Sequence, residues 1–393
     1  MSDPIVVVSV ARTPIGAMLG ELSSLSANQL GSVAIKAAVE RAGLRPEQIQ
    51  EVLMGNVLQA GQGQAPARQA ALGAGLPIGV ACSTINKVCG SGMKAAMLGH
   101  DMLLAGTVDV VVAGGMESMS NAPYLLPKAR QGYRYGHATM YDHMALDGLE
   151  DAYERGRSMG ILAEDCVAKY QFSRQQQDEF SVESLRRAKA ASEDGSFDWE
   201  IAPATVTDRK GEKVVSKDEG PYKANPEKIP TLKPAFKKDG TVTAAHSSGI
   251  SDGAAALVLM RESTAGKLGV KPLARVVAHS QHSQEPQWFT TAPVGALRKL
   301  FDKTGWKTAD VDLFEINEAF AAVAMAAAVE HGIPREKLNL HGGATALGHP
   351  IGASGARLIV TLLGALRKTG GKRGVASLCI GGGEATAMAF ELL

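Results

Sequence analysis

The feature that most constrains the fold is a helix and strand unit that occurs twice. Met93–Leu104 reads as an apolar helix stopped by Ala105-Gly106, and it feeds the β-branched run Val108–Ala113, ended by Gly114-Gly115. Near the C-terminus, Gly352-Ala353-Ser354-Gly355 opens an apolar helix to about Leu366, followed by the strand Gly374–Ile380 and Gly381-Gly382-Gly383. Aligning Ser91-Gly92 with Ser354-Gly355 gives an offset of 263 residues, and the strand-ending glycines Gly114 and Gly381 give 267. An internal duplication follows, with one short insertion absorbing the difference. At 393 residues the chain is also longer than one hydrophobic core usually organises.

Other segments fit an α/β protein. Ile5–Val10 reads as a buried parallel strand, Ala27–Ala42 as a helix, Glu51–Met54 and Val311–Ile316 as strands. Between the halves, roughly Ser120 to Ala245, charged residues and turn clusters such as Glu193-Asp194-Gly195-Ser196 mark an excursion with one helix over Arg174–Ala191. Glycine is frequent (44 residues) and aromatics scarce (5%), which favours tight strand-to-helix turns over a β-sandwich.

A formal net charge of +1 gives no bias towards nucleic acid or membrane. Cys82, Cys89, Cys166 and Cys379 form no CxxC pair, which argues against a zinc ribbon and a disulfide framework and fits a reducing compartment. The run after Met1-Ser2-Asp3-Pro4 is too short for a signal peptide, so a cytoplasmic location is expected.

Four residues are candidates for chemistry. Cys89 stands before a helix whose free N–H groups and positive end favour a thiolate, although a cysteine here is also commonly packing. His349, in the turn Gly348-His349-Pro350, has the pKa to take a thiol proton, or is satisfied by turn hydrogen bonds. Cys379, at the end of a buried strand, suits removal of a proton beside a thioester, or is a structural cysteine. Asn317 follows the strand Val311–Ile316, where its amide can hold a water or an oxyanion or cap a helix.

Together, Asn86-Lys87-Val88-Cys89-Gly90-Ser91-Gly92, Gly114-Gly115-Met116-Glu117-Ser118-Met119-Ser120, Asn317-Glu318-Ala319-Phe320, Gly348-His349-Pro350-Ile351-Gly352 and Cys379-Ile380-Gly381-Gly382-Gly383 resemble the signature set of the thiolase family. The resemblance spans essentially the whole chain. It implies a five-layer α-β-α-β-α fold of two duplicated halves, 1–119 plus 246–270 and 271–393. A loop domain over 120–245 would serve coenzyme A binding and tetramerisation.

It also implies a ping-pong Claisen condensation of two acetyl-CoA molecules. Cys89 would carry the acetyl group, activated by His349, and Cys379 would deprotonate the second acetyl-CoA. His349 with a water on Asn317 would form one oxyanion hole, and the N–H groups of Cys89 and Gly381 the other. No metal or redox cofactor is needed; coenzyme A is substrate and product. By the same resemblance Ser248 and Ala244 touch the pantetheine arm, Phe236 and Phe320 pack around it, Phe289 lines the acyl pocket, Met159 belongs to the substrate and coenzyme A site, and Lys223 lies near the adenine and phosphates. The position of Met119–Arg130 resembles the start of the loop through which short-chain biosynthetic members assemble as homotetramers.

Ser158, His246 and Phe289 depart from the short-chain biosynthetic pattern, which has His, Asn and Met there, and leave acyl-chain preference open. A degradative 3-ketoacyl-CoA thiolase, a ketoacyl synthase and a silent coenzyme A-binding protein are the competing readings. The second thiol, Cys379, argues against a synthase, and retention of all four candidates argues against a silent protein.

Overall fold

The computed structural model describes residues 3–208 and 211–393; Met1 and Ser2, part of the N-terminal reading, lie outside the described residues. The first half runs β1 (Ile5–Arg12), α1 (Ala27–Arg41), β2 (Glu51–Gly55), α2 (Pro66–Gly73), β3 (Ala81–Ile85), α3 (Ser91–Ala105) and β4 (Val110–Ser118). An insertion carrying α4 (Met159–Tyr170) and α5 (Arg174–Glu193) leads back to β5 (Ser251–Arg261). The second half runs β6 (Ala274–Ser283), α6 (Ala292–Thr304), β7 (Leu313–Ile316), α7 (Ala321–His331), α8 (Ile351–Thr369), β8 (Arg373–Ile380) and β9 (Glu384–Leu392).

Both halves share one connectivity. Strands order as β1-β5-β4-β2-β3 in the first half and β6-β9-β8-β7 in the second. A parallel bridge from Phe314 to Leu338 stands where the first half has β3. The two sheets join through a short antiparallel pairing of Val6 and Val7 with Arg275 and Ala274.

Alternation along the strands builds the layers. Val110 and Val112 of β4 face a core with Leu30 and Ala34 of α1 and Ala70 of α2. Val111 and Ala113 face a central core with Met93 and Met97 of α3 and Leu358 and Leu362 of α8. On the far side, Val375 and Ala387 pack with Leu300 of α6 and Ala324 of α7. The order is helices, sheet, the α3 and α8 layer, sheet, helices. At the centre α3 and α8 touch backbone to backbone: a Cβ on Gly92 would lie 2.9 Å from Ala356 N, and one on Gly355 2.4 Å from Met93 N. That reciprocity is the two-fold relation of the duplicated unit.

Two expectations are corrected. Ile5–Val10 is buried on both faces, as its continuous apolar run requires, but β1 is antiparallel to both neighbours. A bulge between Val7 and Ser9 lets two residues of β1 pass one of β5, which puts Val6 and Val10 on opposite faces. The second correction concerns β4, which does not stop at Gly114-Gly115 but runs on to Ser118. Those glycines admit close neighbours, since a Cβ on Gly115 would lie 2.0 Å from the Gly352 carbonyl oxygen. The two strands therefore end at Ser118 and Ile380, 262 residues apart, close to the 263 of the helix glycines and without any insertion.

The insertion is fastened to β1 by a buried ion cluster. Arg12 gives Nη1 and Nη2 to Asp218 at 2.7 and 2.9 Å and Nε to Glu200 at 2.5 Å. Capping boxes start α1 at Ser26 and Gln29, and α5 at Ser173 and Gln176.

Candidate active site

One cavity of about 360 Å³ opens where the two halves and the insertion meet. Cys89, His349 and Gly381 lie on its wall with Met159, Phe236, Ser248, Phe289 and Phe320.

Cys89 sits on a strained turn ahead of α3. Val88 has φ +46°, a left-handed conformation that a β-branched residue rarely adopts. The turn is held because Ser91 Oγ donates to the Val88 carbonyl at 2.6 Å and accepts from Lys87 N at 2.8 Å. Burial pushes the Cys89 thiol up to about 11, against hydrogen bonds from the Gly381 N–H and its own N–H. The start of α3 therefore does not yield a resting thiolate, contrary to the expectation from sequence: desolvation outweighs the helix end.

His349 is ordered on both sides. Ser354 Oγ lies 2.9 Å from the Pro350 carbonyl, to which it donates, so it accepts from His349 Nδ1 at 2.6 Å. That assignment leaves Nε2 with its lone pair, facing Asn317 Nδ2 at 3.4 Å. Burial, reinforced by the Arg357 charge, lowers the imidazole to about 3, so it rests neutral. Arg357 in turn reaches Asn317 Oδ1 at 3.5 Å and Glu315 at 3.4 Å.

Cys379 is fully buried at the end of β8, in an apolar cluster with Met159, Phe236, Phe289 and Phe320. Burial, then proximity to Cys89, raises its thiol well above the ordinary value. The rings of Phe236 and Phe289 stand edge-on to Phe320 at 6.0 and 6.3 Å.

The remaining candidates are more dispersed. Ala244 lines a neighbouring cavity with Ala245, Asn225 and Lys228, and Lys223 pairs with Glu219, so neither borders the main cavity. Of the three departures, Ser158 and Phe289 border it. His246 does not; it is buried, its Nε2 2.7 Å from Asp178.

Sequence reasoning assigned no role to Glu117 or Ser354. Glu117, the last residue but one of β4, accepts from Asn56 Nδ2, Leu58 N, Val57 N and Gly352 N at 2.7 to 3.1 Å. It thereby anchors the first turn of α8 beside His349. Burial raises it to about 7 despite those four bonds. An acidic residue inside an otherwise apolar strand was the available signal.

The sequence matches the thiolase N-terminal domain over residues 5–263 and the thiolase C-terminal domain over 270–392. The chain belongs to the thiolase family. Among similar thiolases, acetyl-CoA acetyltransferase 2 of Arabidopsis thaliana is 52% identical over 390 residues, covering 98% of this chain and 96% of that one. The acetyl-CoA acetyltransferase of Cupriavidus necator is 49% identical over the full length of both. The crystal structure of the Bacillus anthracis acetyl-CoA acetyltransferase superposes with a TM-score of 0.97 at 41% identity, covering 100% of this thiolase and 99% of that chain. Acat5 thiolase from Ascaris suum, in complex with coenzyme A, gives 0.94 at 42% identity, covering 99% and 100%. The five-layer fold of two duplicated halves is that of these relatives.

Proposed function

We propose that this thiolase is an acetyl-CoA C-acetyltransferase, joining two acetyl-CoA into acetoacetyl-CoA and coenzyme A through an acetyl-Cys89 intermediate. The observation that carries this reading is a single cavity holding the Cys89 thiol, the Gly381 N–H bonded to it, and an imidazole whose Nε2 carries the lone pair of a base.

In the first half-reaction His349 takes the Cys89 proton as sulfur attacks the thioester. The N–H groups of Cys89 and Gly381 receive the carbonyl oxygen, and the Cys379 thiol protonates the leaving coenzyme A thiolate, which leaves Cys379 as thiolate and His349 as imidazolium. In the second, the Cys379 thiolate removes the α-proton of another acetyl-CoA. His349, now protonated at Nε2, stabilises the enolate together with a water held by Asn317; the carbanion displaces Cys89 from the acetyl group, and the imidazolium returns its proton to the Cys89 sulfur. Burial raises both thiols, so both rest protonated before substrate enters.

The cluster of Met159, Phe289 and Phe320 closes the acyl end and favours a short chain. Chain-length preference is read from thiolysis of 3-oxoacyl-CoA substrates; faster cleavage of long chains would point to a degradative role. In this reading Ser248 and Phe236, on the cavity wall, meet the pantetheine arm, Ala244 and Lys223 serve coenzyme A from outside the cavity, and residues 120–245 act as an inserted domain between 1–119 plus 246–270 and 271–393. The exposed Tyr124, Leu126, Tyr135 and Met140 in that segment support a homotetramer, which sedimentation would test by mass. Among the described residues no helix is long and apolar enough to cross a membrane. A cytoplasmic place fits this reading, with cell fractionation as its test.

Cys89→Ser is expected to abolish acetyl labelling, seen as loss of the mass gain of about 42 Da after acetyl-CoA. Cys379→Ser should still label but fail to exchange the α-proton of acetyl-CoA into deuterated water. Full exchange in the second variant would overturn the division between the two thiols.

A further inference from the structure

On the opposite stretch of α3 from Cys89, and outside the acyl cavity, a second group of polar side chains joins the two halves. His100 and Asp101 are consecutive on α3, and His279 projects from β6. Asp101 Oδ1 lies 3.1 Å from His100 Nδ1 and 2.8 Å from His279 Nε2. The two imidazoles stand perpendicular, their centroids 5.1 Å apart. One donor atom from each residue falls within 4.8 Å of the others, and this is the one such cluster of three or more His, Cys, Asp or Glu among the described residues.

Two imidazole nitrogens and one carboxylate oxygen are a donor set for zinc-like ions, with bonds of about 2.0–2.2 Å and tetrahedral edges of about 3.3 Å. The two oxygen-to-nitrogen separations are each within about half an ångström of that edge. His100 is nearly enclosed, whereas Asp101 is half exposed and gives the group an opening to solvent. The carriers are rigid: α3 is packed in the central layer, and His279 is paired with Met388 in the sheet. Lys303 Nζ donates to the His279 carbonyl at 2.9 Å and steadies that strand from outside.

We propose that His100, Asp101 and His279 bind one divalent transition-metal ion of the zinc class, with water completing the coordination, and that the ion ties α3 to β6. Binding replaces the two N–H···O bonds to Asp101. In the bound form the nitrogen of each imidazole that faces the ion offers it a lone pair, and the ring proton sits on the other nitrogen. The site is independent of the acyltransferase reading, because none of its residues borders the cavity.

Cobalt(II) is a direct probe of it. Metal-free protein titrated with Co²⁺ is expected to take up one ion per chain, with visible absorption of a four-coordinate ion and no sulfur-to-cobalt band. Zn²⁺ should displace it, and the melting temperature should rise on binding. His279→Ala should weaken binding by more than about 10-fold, while His282→Ala, three residues along β6, should not. Asp101→Asn keeps the side-chain shape and decides the matter if His279→Ala does not fold. Equal uptake by Asp101→Asn and the parent, a sulfur-to-cobalt band placing the ion on the cysteines, or no uptake at all would each overturn the site.

Discussion

At the scale of single residues, the two catalytic candidates that exchange a proton rest in their neutral forms. Cys89 is raised to about 11 and His349 lowered to about 3, both chiefly by burial. Alkylation of Cys89 by iodoacetamide in the free protein is accordingly expected to accelerate about tenfold per pH unit from 7 to about 10. A plateau below pH 8 would mean a preformed thiolate and would contradict this account. Cys89, His349, Asn317 and Cys379 stood out in the sequence beside glycine-rich turns and strand ends, where each also had a structural reading, and their proposed roles came from the resemblance to the thiolase signature set. Their neutrality was not legible there, since desolvation depends on what closes over a side chain from distant parts of the sequence. Ser354 was missed for the same reason: its role is set by the Pro350 carbonyl, which consumes its proton and so fixes which nitrogen of His349 is the base.

At the scale of elements, the long periodic segments read from sequence appear within a few residues of their observed bounds, including α1, α3, α5, α8 and β8. Strand direction was not legible, because β1 is apolar on both faces and that pattern is indifferent to which way its neighbours run. The hold of the insertion on β1 was equally hidden, resting on Arg12 meeting Glu200 and Asp218 across about 200 residues of sequence. Removing the cation leaves two carboxylates buried without it. Arg12→Ala is therefore expected to destabilise the chain by about 3–5 kcal/mol in urea unfolding, with early protease cleavage near residues 194–218. A loss under 1 kcal/mol, about the value of an exposed pair, would contradict the assigned role.

At the scale of the whole molecule, buried histidines shape stability against pH. His341 is lowered to about 4 by burial and by the Lys368 charge, and His349 to about 3. Each binds a proton more readily once unfolded, where its pKa is about 6.5, so the stability they confer is complete above that pH and lost as pH falls. Glu117 acts in the opposite sense: its pKa is raised to about 7, so its contribution is complete below its unfolded value and lost as pH rises through 7. Replacing His341 by Gln should shrink the loss of unfolding free energy between pH 7 and 4.5 by about 2–3 kcal/mol. An unchanged acid limb would contradict this. The duplication has one further consequence. Each half brings a strand end against the first turn of the other half's central helix, β8 against α3 and β4 against α8. At one junction a backbone N–H meets a sulfur on the wall of a cavity; at its counterpart the Glu117 carboxylate bolts the joint shut. Of two doorways drawn to one plan, this molecule keeps one open for chemistry and makes the other its hinge post.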